Sequence, residues 1–312
     1  MTRRDALLAA ALFAVLAAVP LFAPNTVLNF LMTALIVALA AQGWNLLGGF
    51  GGQFSFGHAA FFGAGAYTGA VLQVRYGVNA WAACLAGVGA GAALGWVIGA
   101  LVFRARLRGS YFALITLAFA EVFRVLANAS PFTGGAAGML VRLDARAANF
   151  QFSSRAAFVW VALGCVAAAL LITAAIARSR MGAYLVAVRE NEDAARALGV
   201  DTLRVKVQTI TLSGAMTAAA GCLYLQYFLY VDAEIAFGTR MSVEALVASI
   251  VGGVGTVLGP VVGALALHGL GELTRMASGG VTGLDLVFFG LVLVGVIAFA
   301  PQGVAGLLRR RA

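Results

Sequence analysis

The chain has 312 residues, of which 62% are hydrophobic and 11% charged, with a formal net charge of +9. Soluble domains carry about 25% charged residues, so this composition excludes an ordinary soluble domain and marks an integral membrane protein. The basic excess is expected at the cytoplasmic ends of spans; it does not imply nucleic-acid binding here, and no nucleic-acid partner is expected.

A helix needs about 20 apolar residues to cross a hydrocarbon core of roughly 30 Å. The first candidate is Ala6–Ala23, behind Arg3 and Arg4. A cleaved signal peptide has the same outline, but Pro20 and Pro24 stand where a small-residue cleavage motif would be, which favours a retained span. Leu28–Leu47 follows without a charge.

The run Gly48–Ala70 reads GGFGGQFSFGHAAFFGAGAYTGA, with eight glycines in 23 residues. Four glycines in the first five residues predict a broken backbone at Gly48–Gly52, because each weakens a helix by about 1 kcal/mol. From about Phe54 a packed helix is expected to Val74, with Gly57, Ala60, Ala64 and Thr68 as its small face. Irregular backbone inside a membrane lines a cavity rather than facing lipid. Gln53, Ser55, Gly57 and His58 are therefore candidate polar groups of a transport path. Helix packing and polar-group satisfaction between helices is the competing reading of these residues.

Ala80–Phe103 is the fourth span, and Arg104–Arg108 holds three arginines in five residues, the mark of a cytoplasmic loop. Ser110–Ala129 is the fifth. Its Glu121 and Arg124 are three residues apart on one helix face, which predicts an intramembrane ion pair; a charge in a span costs about 2.5–3.5 kcal/mol on insertion scales unless paired. The segment 130–155 is polar for this chain and is expected outside, as a periplasmic loop. Ala156–Ala177 returns the chain inside.

Residues 178–206 form the longest charged segment, with six basic residues. Asn191 is placed to cap a short helix with Glu192 and Asp193 at its positive end, and Gly199 stands where that helix should stop. About two turns cannot be stable alone, so the helix needs a protein surface.

Val207–Val231, Met241–Gly259, Pro260–Thr274 and Leu286–Ala300 complete ten spans, the eighth and ninth open to a re-entrant reading. VGGVGTVLGPVVGA at 251–264 echoes the glycine cluster of 48–64 and suggests a weak internal repeat. Of the 21 basic residues, 14 fall in the N-terminus, the loops 104–108 and 178–206, and the C-terminus, which places both ends in the cytoplasm.

The string GGFGGQFSFGHAAFFGAGAYTGA, supported by RLRGSYFALITLAFAEVFRVLANASPFTGGAAGM at 106–139, resembles the inner-membrane permease subunits of branched-chain amino-acid ABC importers, and within them the LivM type. The resemblance covers most of the chain. It implies an all-α polytopic permease of one domain, 1–312, in a bacterial inner membrane. Its implied partners are a homologous second permease subunit, two cytoplasmic ATPase subunits and a periplasmic substrate-binding protein. Leucine, isoleucine and valine are the implied cargo. It also makes 178–206 a coupling loop, in which Ala194, Ala195 and Gly199 stand at the alanines and glycine of the family's motif, with Asp193 where the family has a glutamate. Glu190, Asn191, Glu192, Asp193, Ala194, Ala195, Arg196 and Gly199 are then the expected ATPase-docking residues.

Enzymatic chemistry is not expected. There is no G-x-x-x-x-G-K-[ST] run and the single lysine is Lys206, so ATP hydrolysis belongs to other polypeptides. Two histidines make a multi-histidine metal site impossible, and no metal or cofactor is expected. Cys84, Cys165 and Cys222 each sit in an apolar run and read as small buried hydrophobes. Ser55 beside His58 raises an intramembrane hydrolase, without any nucleophile motif around it. Two transport alternatives remain: a permease for urea or another small solute, and an ion-coupled transporter built on Glu121.

Overall fold

The computed structural model describes residues 3–277 together with 287, 290, 291 and 294. It is a helical bundle. The helices are α1 (Arg3–Phe22), α2 (Asn25–Trp44), α3 (His58–Tyr76), α4 (Ala80–Arg104), α5 (Gly109–Ala129), α6 (Arg155–Arg178), α7 (Arg180–Glu190), α8 (Glu192–Ala197), α9 (Thr202–Phe228), α10 (Ala233–Phe237), α11 (Thr239–Gly252) and α12 (Gly259–Ala277). The predicted tenth span, Leu286–Ala300, and the C-terminal arginines lie outside the continuously described residues.

Helix α2 is the core. From Ala34 to Trp44 every residue is buried, as expected of a helix that is apolar all round, and α6, α9, α11 and α12 pack about it. Five segments are long and apolar enough to span a membrane: Asn25–Phe50, Ala80–Arg104, Gly109–Ala129, Arg155–Arg178 and Ala233–Gly252. That establishes a polytopic helical membrane protein. It does not establish ten spans, because α3 and α9 dilute their apolarity with glycine, serine, threonine and charged residues at one end.

Backbone proximity is the reason for many of the glycines. On Gly214 of α9 a Cβ would sit 2.5 Å from the carbonyl oxygen of Gly91 on α4, so these two helices touch main chain to main chain.

Contacts sort the helix ends onto two sides. On one, Arg75 donates to the carbonyls of Pro131 and Phe132 at 2.6 and 2.7 Å, and Asn79 to that of Ala148. There strand β1 (Met139–Leu140) pairs antiparallel with β2 (Tyr230–Val231). On the other side, Arg108 reaches Asp193 and Arg189 reaches Gly49. The helix expected to run to Val231 thus ends at Phe228. Leu229 turns left-handed (φ 57°), and the next two residues, apolar enough to read as span, form the β2 strand instead.

Candidate functional site

The glycine-rich run differs in detail from its sequence reading. Residues Asn45–Phe50 continue α2 as a π-helix, so Gly48 and Gly49 do not break it. The irregular stretch is Gly51–Gly57, and α3 starts at His58 rather than near Phe54. Nor are Ala64 and Thr68 its closest contacts, both being partly exposed; Gly57, Gly63 and Gly65 meet Thr116, Phe237 and Ala218.

Side chains from four helices hold the irregular stretch. Trp44 of α2 donates its indole N–H to the carbonyl of Ser55 at 2.8 Å. Thr116 of α5 accepts from the Phe56 amide at 3.3 Å. Ser242 of α11 accepts from the amide of Ala59 at 2.8 Å, serving the first turn of α3. His58 lies between Ser55 Oγ (3.1 Å) and Ser213 Oγ of α9 (2.8 Å). Since Ser213 donates to the Gly43 carbonyl at 2.7 Å, it accepts from His58 Nε2–H, and Ser55 donates to Nδ1. Ser55 and His58 are 1% and 0% exposed, and among the described residues no carboxylate bonds the ring. The pair sits in a buried hydrogen-bond network between helices, while Gln53 and Phe54 lie nearer the surface.

The second glycine cluster meets the first. Asn45 donates to the carbonyl of Thr256 and accepts from the amide of Gly255, both at 2.8 Å. Gln42 donates to Val257 at 2.8 Å. A Cβ on Gly49 would lie 2.6 Å from the Gly255 nitrogen. The α11–α12 turn is thus seated on the end of α2.

The charged segment 178–206 is two helices, not a loop with one. Ser179 caps α7, accepting from the Gly182 amide, and Asn191 caps α8, accepting from the amides of Asp193 and Ala194 at 3.1 and 3.0 Å. Gly199 closes the turn at φ 87°, as its position predicted. Glu192 is the hub. Its carboxylate is 2.8 Å from Lys206 of α9, 3.0 Å from Arg196 and 3.1 Å from Arg108, ahead of α5. Burial works against the charged carboxylate, but the hydrogen bond and charge of Lys206 and the charge of Arg108 outweigh it and hold its pKa below the usual value. Arg108 also holds Asp193 low, mainly by a hydrogen bond. Lys206, 3% exposed at its side chain, lies 4.9 Å over the Phe103 ring of α4. The small helix is therefore bolted to α9 through Lys206 and to the turn ahead of α5 through Arg108. Through Arg189, which donates to the Gly49 carbonyl at 3.1 Å and packs its stem against Gly52, α7 also touches the glycine-rich turn.

Of the residues expected to face an ATPase, Glu190, Asn191, Asp193, Ala194, Arg196 and Gly199 are exposed, Glu192 is half-buried and Ala195 is turned inward at 3% exposure. A six-residue helix is too short for periodicity to reveal its face. Leu198, outside the expected docking set, is 86% exposed at the tip; its signal is an apolar residue directly before the terminating glycine.

Arg124 bonds Glu121 at 2.5 Å as its spacing predicted, and also Glu234 of α10 at 3.1 Å. The cluster sits in the second half of α5, on a face that the other described residues leave exposed. No group of three metal-ligating side chains occurs among the described residues.

The family described as "Branched-chain amino acid transport system / permease component" matches residues 26–297. The chain is 29% identical to the high-affinity branched-chain amino acid transport system permease protein LivM of Escherichia coli, over 99% of this chain and 76% of that protein. It is also 29% identical to LivH of the same system and organism, over 86% and 91%. The autoinducer 2 import system permease LsrC of Salmonella paratyphi B is 27% identical, over 74% and 65%. No solved structure matches the chain.

Proposed function

Because the chain belongs to the branched-chain amino acid transport permease family, we propose that it forms the transmembrane path for hydrophobic, branched-chain amino acids in an ABC importer. Separate ATPase subunits, docked on α7–α8, would drive it. The observation that carries this reading is the Glu192 hub, because a surface helix of six residues tied by one largely buried carboxylate to α9 and to the turn ahead of α5 is built to pass displacement into the spans. Nucleotide-driven closure of the ATPases would push Leu198 and its neighbours, and the ion pairs would carry that push to α5 and α9.

The rest of the assembly follows from the same reading. A homologous permease subunit would cover the open face of α5, where the Glu121–Arg124–Glu234 cluster is too costly to leave against lipid. The path would run along that face, with Gln53 near its inner mouth and Gly57, Ser55 and His58 behind it as the wall. A periplasmic binding protein would meet the 130–154 side. The protein would cross the inner membrane ten times with both ends cytoplasmic.

The test is reconstitution with the ATPases, second permease and binding protein in proteoliposomes. Leucine uptake that needs ATP and survives collapse of ion gradients is expected. Uptake that dies with the gradients would instead support the ion-coupled reading. The likeness to LsrC makes cargo other than amino acids the second reading, and competition of leucine uptake by other solutes separates the two.

A further inference from the structure

On the 130–154 side the helices leave a cavity of about 1230 Å³ between α2, α6, α9, α11 and α12. Clefts for drug-sized ligands run to about 1,000 Å³, so this one has room for something longer. Several of its neutral polar groups are engaged. Gln151 accepts from the Asp144 amide and donates to the Arg142 carbonyl, and the Tyr227 hydroxyl bonds Asn29. The amide of Gln226 and Nδ1 of His268 lack partners, but those atoms are closed off from the open space and offer a ligand nothing.

What remains is charge. Arg155, Arg240 and Arg275 line the cavity against Glu244 and Glu272, so the lining is net positive. Arg240 pairs with Glu244 at 2.8 Å and Arg275 with Glu272 at 2.6 Å. Arg155, exposed at the start of α6, has no carboxylate partner among the described residues. Arginines on the side away from the basic loops 104–108 and 178–206 run against the usual bias of membrane proteins, and three of them meet here. The rest of the wall is apolar. Phe30, Phe158 and Leu267 line it, and Phe228 and Val243, also in the lining, are 44% and 43% exposed. A water-filled vestibule would have polar lips; apolar ones suit acyl chains.

We propose that this cavity holds an anionic phospholipid, its headgroup phosphate at Arg155 and an acyl chain along Phe30, Phe158 and Leu267. A guanidinium matches phosphate oxygens in charge and in geometry. A bare anion would leave the apolar wall and most of the volume unused, and an amphiphile without net charge would leave the positive lining unanswered. Seated there, the lipid fills the gap between α6 and α9 on one side and α11 and α12 on the other. The site assumes nothing about cargo and is remote from Gln53 and His58.

The test uses the full-length chain, purified in neutral detergent, stripped of lipid and titrated with phosphatidylglycerol, with native mass spectrometry and thermal melting as readouts. A retained lipid and a saturable rise in melting temperature are expected. Phosphatidylcholine, which has the same phosphate but no net charge, should bind about fivefold more weakly. Glycerol 1-phosphate, which has no acyl chains, should give no shift. Arg155→Gln should weaken phosphatidylglycerol binding about fivefold, the worth of one basic residue beside an anionic lipid, and leave the lipid-free melting temperature unchanged. Val243→Trp, an exposed change at the opening, should weaken both lipids alike, and it carries the test if Arg155→Gln folds poorly. Equal affinity for the two lipids, an equal shift with glycerol 1-phosphate, undiminished phosphatidylglycerol binding to either variant in its folded form, or displacement of the lipid by L-leucine would each overturn the proposal.

Discussion

The ammonium of Lys206 lies 2.8 Å from the carboxylate of Glu192, and the two side chains are only 3% and 9% exposed. This pair is the least exposed of the contacts on the Glu192 carboxylate, while Arg108 and Arg196 reach it from positions 45% and 44% exposed.

The pair's asymmetry predicts an order of damage. Glu192→Gln leaves a buried ammonium without its counter-charge and should cost about 3 kcal/mol or more. Lys206→Met should cost less, because Glu192 keeps both arginines. A double-mutant cycle on thermal melting in nanodiscs reads both values; equal penalties would remove the hub from the account.

The pH dependence follows from the lowered pKa of Glu192. A carboxylate held below its unfolded value of about 4.3 contributes stability above that pH and loses it as pH falls through the folded value. The stability gap between wild type and Glu192→Gln should therefore be flat from pH 8 to pH 5 and shrink below about 4.3. A gap that widens on acidification would contradict the sign.

Leu198 provides the cleanest docking test. An exposed side chain can be changed at a cost within about 0.5 kcal/mol, whereas covering a leucine in an interface is worth about 1.5–3 kcal/mol. Leu198→Ser should leave the melting of the permease unmoved and weaken ATPase binding roughly tenfold. Ala195, 3% exposed, does not suit this purpose: bulk there would disturb internal packing first.

Gly52 is left-handed at φ 67°, and a Cβ on it would lie 2.5 Å from the Cγ of Arg189. Gly52→Val should cost about 1–3 kcal/mol and lower uptake while membrane insertion proceeds. Restored uptake in Gly52→Val with Arg189→Ala would assign the clash to that side chain.

Orientation is checked with single cysteines in a chain freed of its native ones. Ala136→Cys should react with an impermeant thiol reagent in intact cells, and Ala194→Cys only after permeabilisation. The opposite pattern would invert the proposed topology.

How much of this was legible beforehand depended on range. The Asn191 cap and the Gly199 stop are local events, written within a few residues, and both are where the chain implied. The Glu121–Arg124 pair is one helical turn and was equally readable. Arg108 and Lys206 reach Glu192 from 84 and 14 residues away, and nothing local announces such a meeting. The same holds for Asn45 with Gly255: two glycine clusters were visible as composition, but their contact is tertiary. Boundary errors came from apolar residues in unexpected roles, as when Tyr230 and Val231 left the helix to pair with Leu140 and Met139.

The stretch Gly51–Gly57 has a mechanical consequence. Its main chain is fastened by Trp44 and Thr116, the Ser55 hydroxyl by Ser213 through His58, and the neighbouring Ala59 amide by Ser242, pins that belong to four separate rods. No one rod can slide far without stripping a partner from buried polar groups, and such a vacancy is expensive. Graded flexing is disfavoured there; the seam holds as a unit or lets go as a unit.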